Sequence, residues 1–138
     1  MGAKVLGDGF YLRPGADETS RIAASPKRLR VPVAVLVGQV NSSATFQFAQ
    51  NIRSIGNAKL YGQPTGGNRR GINGGCYFFV RLPASGLEFD LPLVGYFPVR
   101  PQPDAGVLPD VLIVPTAADI AAGRDPVVAS AVADLRRA

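Results

Sequence analysis

Two adjacent serines, Ser42 and Ser43, occupy the position in this 138-residue chain best placed to do chemistry. They follow an apolar run, Val31-Pro32-Val33-Ala34-Val35-Leu36-Val37, and a polar turn over 38–42. A run of that length, rich in β-branched residues, predicts a strand over 31–38 buried on both faces. From Ser43 the period changes. Ala44, Phe48, Ile52 and Ile55 fall at helical spacing and predict one apolar face of a helix over 43–55, with Gly56-Asn57 as the stop. A serine between a strand end and a helix start meets free backbone N–H groups and the positive end of the helix dipole. Such donors can hold an oxyanion, as acyl transfer requires. Serine is also a common helix N-cap, so the local pattern leaves both roles open.

The rest of the chain limits what could assist such a serine. There is no histidine, which removes the commonest general base and the commonest transition-metal ligand. No zinc-site spacing is present, and neither a metal nor a cofactor is expected. The single cysteine, Cys76, excludes an intrachain disulfide and is expected to be a buried, inert thiol in a strand. The lysines are Lys4, Lys27 and Lys59, the last at a strand start where a solvated amine is expected. The net charge of +5 raises the question of nucleic acid. Yet the basic residues are scattered and no aromatic residues interleave with them as a stacking platform, so no nucleic-acid partner is expected.

An apolar fraction of 46% supplies a core, while 16 glycines and 12 prolines predict short strands and many turns. Residues 1–30 read as an irregular approach segment, with Phe10-Tyr11-Leu12 as a short strand and Pro14-Gly15 as a turn. Residues 59–62 form a second short strand, followed by a glycine-rich loop over 64–75. Gly66 and Gly71 have the outer spacing of a phosphate-binding loop, but Ile72 stands where a lysine is required. Strands are predicted at 76–82 and 87–94, joined by the hairpin turn Pro83-Ala84-Ser85-Gly86, with 96–99 extending the second. After a Pro/Asp/Gly loop over 100–110 comes a strand at 111–114. Thr116 caps a short helix ended by Gly123, and Asp125 caps a last helix with Pro126 in its first position, running to about Arg136. No window approaches the length of a transmembrane helix, and residues 1–10 lack the apolar run of a signal peptide.

Taken in order, five short motifs resemble the tail-specific (C-terminal processing) serine peptidases, including their tricorn-core-like branch. These are Ser43-Ala44-Thr45 after the apolar strand, Gly62-Gln63-Pro64-Thr65-Gly66-Gly67, Leu82-Pro83-Ala84-Ser85-Gly86, Gly106-Val107-Leu108-Pro109-Asp110-Val111, and Asp119-Ile120 to Gly123 followed by Asp125-Pro126. The resemblance covers about residues 31–135. It implies an α/β fold of the ClpP/crotonase-like β-β-α spiral type, with a mostly parallel central sheet and helices packed on it. Residues 31–138 would be the C-terminal portion of that catalytic domain. The resemblance further implies Ser43 as nucleophile, the Ala44 N–H as an oxyanion donor and Asp104 as an acidic residue near the site. It makes Gly66, Gly67 and Asn68 a substrate-binding loop.

Asn68 stands where the serine–lysine branch has its lysine. The Thr-Gly-Gly-Asn form resembles instead the branch whose base is an upstream histidine. Gln63 replaces a usual Glu, and Phe46 stands where one branch has Glu. The upstream Arg-x-Asn-x-Gly-Gly loop of the family, which supplies part of its oxyanion hole, has no counterpart here. The expected partners are a peptide or protein substrate and an N-terminal half of the domain carrying the base. Without that half, one face should be apolar and unpartnered, with self-association as a consequence. The family resemblance favours an exported or periplasmic location. A non-catalytic peptide- or apolar-ligand-binding module on the same fold is the alternative.

Overall fold

The computed structural model describes residues 4–7, 10–12, 25–27, 29–54, 56 and 58–138. In chain order the elements are β1 (Lys4–Gly7), β2 (Phe10–Leu12), β3 (Val33–Val37), α1 (Ser43–Ser54), β4 (Ala58–Gly62), β5 (Ile72–Asn73), β6 (Tyr77–Arg81), β7 (Glu88–Pro92), β8 (Gly95–Tyr96), β9 (Val111–Leu112), α2 (Ala117–Ala121) and α3 (Pro126–Leu135). The expected mixed α/β architecture is present, with a parallel sheet and helices packed on it. No helix among the described residues is long and apolar enough to cross a membrane.

The parallel sheet has the order β3-β4-β9, with Val33 level with Ala58 and Val37 level with Gly62. Within it β4, not β3, is the strand buried on both faces: Leu60 and Tyr61 are both fully enclosed, while Leu36 of β3 is half-exposed. The apolar run of 31–37 suggested the reverse. The reason is position, because β4 is flanked by strands on both sides and β3 is paired on one side only among the described residues. Leu60 joins Val37, Phe46, Ala49 and Val107 in the main core, with Val35, Ile52 and Ile72 packed around it.

Helix α1 differs from its sequence reading in the face it buries. Phe46 and Ala49 are buried and Ile52 is partly buried, whereas Phe48 is exposed; Ile55 lies outside the described residues. Phe46 is drawn inward because the glycine-rich loop lies on its ring: a Cβ at Gly67 would stand 2.9 Å from it. The two C-terminal helices follow their capping signals. Thr116 and Asp119 form a reciprocal capping box on α2, and Asp125 accepts from Val127 N–H and Val128 N–H at the start of α3.

Three further expectations are corrected. Within 1–30, β1 and β2 pair as an antiparallel hairpin, so the segment is not wholly irregular; the Pro14-Gly15 turn lies outside the described residues. Cys76 is exposed and precedes β6. Residues 95–96 do not extend β7 but pair with β5, while β6 and β7 form the expected hairpin closed at Leu82 and Leu87. That hairpin carries Phe78 and Leu91 opposite one another, then Val80 and Phe89, on one face. Phe78, Phe89 and Leu91 are exposed.

Helix α3 is fastened to the central strand by one carboxylate. Asp134 Oδ2 accepts from Lys59 Nζ at 3.0 Å and from the Tyr61 hydroxyl at 2.8 Å, and Oδ1 accepts from Arg137. The Lys59 ammonium also lies over the Tyr61 ring, 5.3 Å from its centroid. The hydrogen bond from Lys59, with those from Arg137 and Tyr61, holds the Asp134 carboxyl well below the usual carboxylate range. The same bond raises the Lys59 ammonium above its ordinary value. A lowered carboxylate contributes stability above its unfolded value of about 3.9, lost as pH falls through the folded one. A raised ammonium contributes stability below about 10.4, lost as pH rises through its folded value. The Asp134→Asn variant should therefore melt below the native chain across the neutral range. The gap should be flat between about pH 5 and 9 and close towards acid. Thermal unfolding of both chains against pH checks this, and a gap that widens in acid contradicts it.

Candidate active site

The turn between β3 and α1 is built by Asn41. Its side-chain oxygen accepts from Gly38 N–H at 2.7 Å and its own N–H donates to Gly38 C=O at 2.9 Å. The helix is then opened by the backbone of Ser42, whose C=O accepts from Thr45 N–H, Phe46 N–H and the Thr45 hydroxyl. Neither serine hydroxyl acts as the cap: among the described residues, Ser42 Oγ and Ser43 Oγ make no hydrogen bond. Ser43 has φ +52°, and among the described residues it is the only non-glycine with positive φ. That left-handed conformation costs an L-residue on the order of 1 kcal/mol or more and is kept where the surroundings impose it. The N–H groups of Ser43 and Ala44 likewise donate to no described residue. A free hydroxyl and two free amides thus sit at the positive end of a 12-residue helix.

An open cleft of about 820 Å³ adjoins this turn, and Ser42, Ser43, Gly67, Asn68, Arg70 and Asp104 are among the residues lining it. Four of the six residues singled out in the sequence therefore stand in or at one cleft: Ser43, Gly67, Asn68 and Asp104. Ala44, the residue after Ser43, does not itself line the cleft. Gly66 does not line the cleft; its Cα faces the Gln39 carbonyl, so closely that a Cβ would lie 2.3 Å from that oxygen.

The cleft floor is made by two loops, 64–71 and 102–108, stitched side by side. Thr65 N–H donates to Val107 C=O at 3.0 Å, and Val107 N–H donates back to Thr65 Oγ1 at 2.8 Å. Arg69 N–H donates to Ala105 C=O, and the Arg69 guanidinium donates to Gln102 at 2.7 Å. Asn68 donates its side-chain amide to Asp104 and accepts from Arg70 N–H at 2.8 Å. The Arg70 guanidinium meets the other Asp104 oxygen at 3.0 Å. The Asn68 hydrogen bond, then Arg70, lowers the Asp104 carboxyl below its ordinary range, so it remains a carboxylate at neutral pH. Its lone pairs are engaged in holding Asn68 and Arg70, a positioning role. Thr65, Arg70 and Gln102 were not singled out as site residues. Thr65 was visible as the threonine of the Thr-Gly-Gly motif, whereas Arg70 and Gln102 carried no signal.

Lys59 is remote from this chemistry. It sits level with Ala34, three residues before the end of β3 and so about 10 Å below it, and lines a different cleft with Asp134. Its ammonium is stabilised by Asp134, which makes it a poor proton acceptor near neutrality.

The sequence profile of Peptidase family S41 matches residues 10–111. The chain therefore belongs to that family. A crystal structure of a "putative peptidase" from Parabacteroides merdae superposes with a TM-score of 0.52 at 26% identity. The match covers 91% of this chain and 36% of the Parabacteroides chain, so the chain spans about a third of that relative's length. No protein of curated function gives a significant match.

Thr65 is the buried polar side chain among the described residues, whereas Arg70 and Asp104 are both well exposed. An exposed ion pair contributes about 0–1 kcal/mol, while orphaning a buried amide costs about 1–3 kcal/mol. Thr65→Val, which strands the Val107 N–H, should thus destabilise the chain by about 1–3 kcal/mol and Arg70→Ala by less than about 1 kcal/mol. Thr65→Ser should fall close to the native chain. Urea unfolding of the three variants tests the ranking, and an Arg70→Ala loss equal to that of Thr65→Val would refute it.

Proposed function

We propose that this member of the S41 family is the nucleophile-bearing portion of a tail-specific serine peptidase domain with the ClpP/crotonase-like spiral fold, and that Ser43 is the nucleophile. The observation that carries the reading is Ser43 itself: a left-handed serine with a free hydroxyl, at a helix N-terminus, on the wall of a cleft. In the proposed reaction Ser43 Oγ attacks the carbonyl carbon of a peptide bond while a general base takes the hydroxyl proton. The developing oxyanion accepts from the Ala44 N–H, with the Ser43 N–H beside it. Collapse of the tetrahedral intermediate breaks the C–N bond, and the base returns the proton to the departing amine. Water then releases the acyl group by the same steps. Asn68, held by Asp104, lines the cleft where substrate backbone would lie.

The base is the part this stretch of chain does not supply. It has no histidine, Lys59 is engaged by Asp134 elsewhere, and Asp104 is a carboxylate of lowered basicity. On this reading the base would be supplied by sequence outside these 138 residues; the match spans about a third of the Parabacteroides chain. The alternative, a binding module that has lost catalysis, draws on the same lack of a base.

General-base assistance contributes on the order of 10²–10⁴-fold. The 138-residue chain alone should therefore react with a fluorophosphonate slower than an ordinary serine hydrolase by about that factor. Co-expression with the upstream coding sequence should restore labelling, read by mass spectrometry of the tryptic peptide. Ser43→Ala should abolish it and Ser42→Ala should leave it largely intact. Rapid labelling of the isolated chain would show that the base is internal. Labelling at Ser42 would displace the nucleophile by one residue, and no labelling after co-expression would favour the binding module.

A further inference from the structure

Beyond the nucleophile, the cleft has an unusual wall. Phe97 is 68% exposed, yet its ring lies close over two glycines. A Cβ added at Gly71 would stand 2.6 Å from one edge of the ring, at Cδ1, and one added at Gly95 would stand 2.7 Å from the opposite edge, at Cε2. The ring thus lies across two strands, over Gly71 just before β5 and over Gly95 in β8. Neither glycine has a positive φ, so the backbone conformation does not call for glycine at either position. The space occupied by the ring does. An aromatic ring laid over strand glycines shields their backbone. Here it does so with most of its surface left towards solvent.

That surface divides two depressions. On one side it lines the Ser43 cleft with Tyr77 and Ile72; on the other it lines a cleft of about 400 Å³ along α1, where Gln47, Gln50 and Asn51 make the wall polar. We infer that Phe97 is a specificity-determining residue, and that Gly71 and Gly95 are positioning residues for it. Its Ser43-facing side receives an apolar side chain from the peptide residue whose carbonyl Ser43 would attack. The inference rests on the proposed role of Ser43 for the register of the peptide, but the selectivity of the wall is measurable without catalysis.

The test uses the 138-residue chain with acetylated tripeptide boronic acids ending in boroAla, boroPhe or boroGlu, together with the matching carboxamides, by isothermal titration. With a boronate, Ser43 Oγ donates a lone pair to boron, a B–O bond forms, and the hydroxyl proton passes to buffer. Covering one face of a benzyl group should favour Phe over Ala by roughly 10-fold in both series, with Glu weaker than Ala. Phe97→Ala should reduce the Phe/Ala ratio to within about twofold of unity while boroAla affinity is retained, which also reports that the variant is folded. Gly95→Ala, which keeps the ring but displaces it, should reduce the ratio as well, and Phe97→Leu should preserve most of it. Ser43→Ala should remove the advantage of boronate over carboxamide and leave the ratio intact. A native ratio near unity, or one that survives Phe97→Ala, overturns the inference. A ratio that survives Gly95→Ala overturns the positioning role of the glycine. Equal affinity for boronate and carboxamide in the native chain would instead count against Ser43 as nucleophile while the selectivity result stands.

Discussion

Much of the site depends on one paired interaction, the two hydrogen bonds between Thr65 and Val107. They clamp the glycine-rich loop to the loop after it, and they can form only because Gly106 has no side chain: a Cβ there would lie 2.0 Å from the Thr65 carbonyl oxygen. With Thr65 and Val107 joined, Arg69 reaches Ala105 and Asn68 reaches Asp104. The same placement lays Gly67 on the Phe46 ring, which turns that side of α1 inward and sets the helix start against the cleft. Removing the clamp would leave the Asn68–Asp104–Arg70 network held mainly by exposed polar contacts, which contribute little in water.

The central strand distributes roles between the two ends of the sheet. On one face, β4 carries Lys59 and Tyr61, whose shared partner Asp134 ties α3 down. At its end, Gly62 sits with φ +122° so close to the Val37 carbonyl that a Cβ would stand 2.1 Å from the oxygen, and the chain turns there into the site loop. Between them, Leu60 N–H donates to the Asp110 carboxylate, which also meets Arg53 of α1 at 2.8 Å. Charged groups at the lower end are thus consumed in fastening helices. The Ser43 end carries free amides, a hydroxyl and the Asp104 carboxylate paired with Arg70.

The elements outside the sheet are less self-sufficient. A two-stranded hairpin is marginal in water unless its apolar face is covered, and the face with Phe78, Phe89 and Leu91 is open. The Phe97 ring, by contrast, lies over Gly71 and Gly95 with much of its surface exposed.

Local chemistry was enough to place most of the elements. The change from β-branched run to helical period marked β3 and α1, Thr116 and Asp125 marked the last two helices, and Pro83 to Gly86 marked the hairpin turn. The strand–helix junction at Ser43 was legible from the change of period, and the order of five short motifs pointed to the family. What the sequence could not decide were matters of who packs against whom. The buried strand is β4 because it has neighbours on both sides, and of the apolar residues of α1 it is Phe46, Ala49 and Ile52, not Phe48, that face the core. Residues 95–96 left β7 because Ile72 and Asn73 offered them partners. Ser43 adopts its left-handed backbone, and Phe97 its seat over two glycines, only in the assembled site. Periodicity reports on one element at a time, whereas burial, strand pairing and the convergence of Ser43, Asn68 and Asp104 on one cleft depend on contacts between residues far apart in the chain.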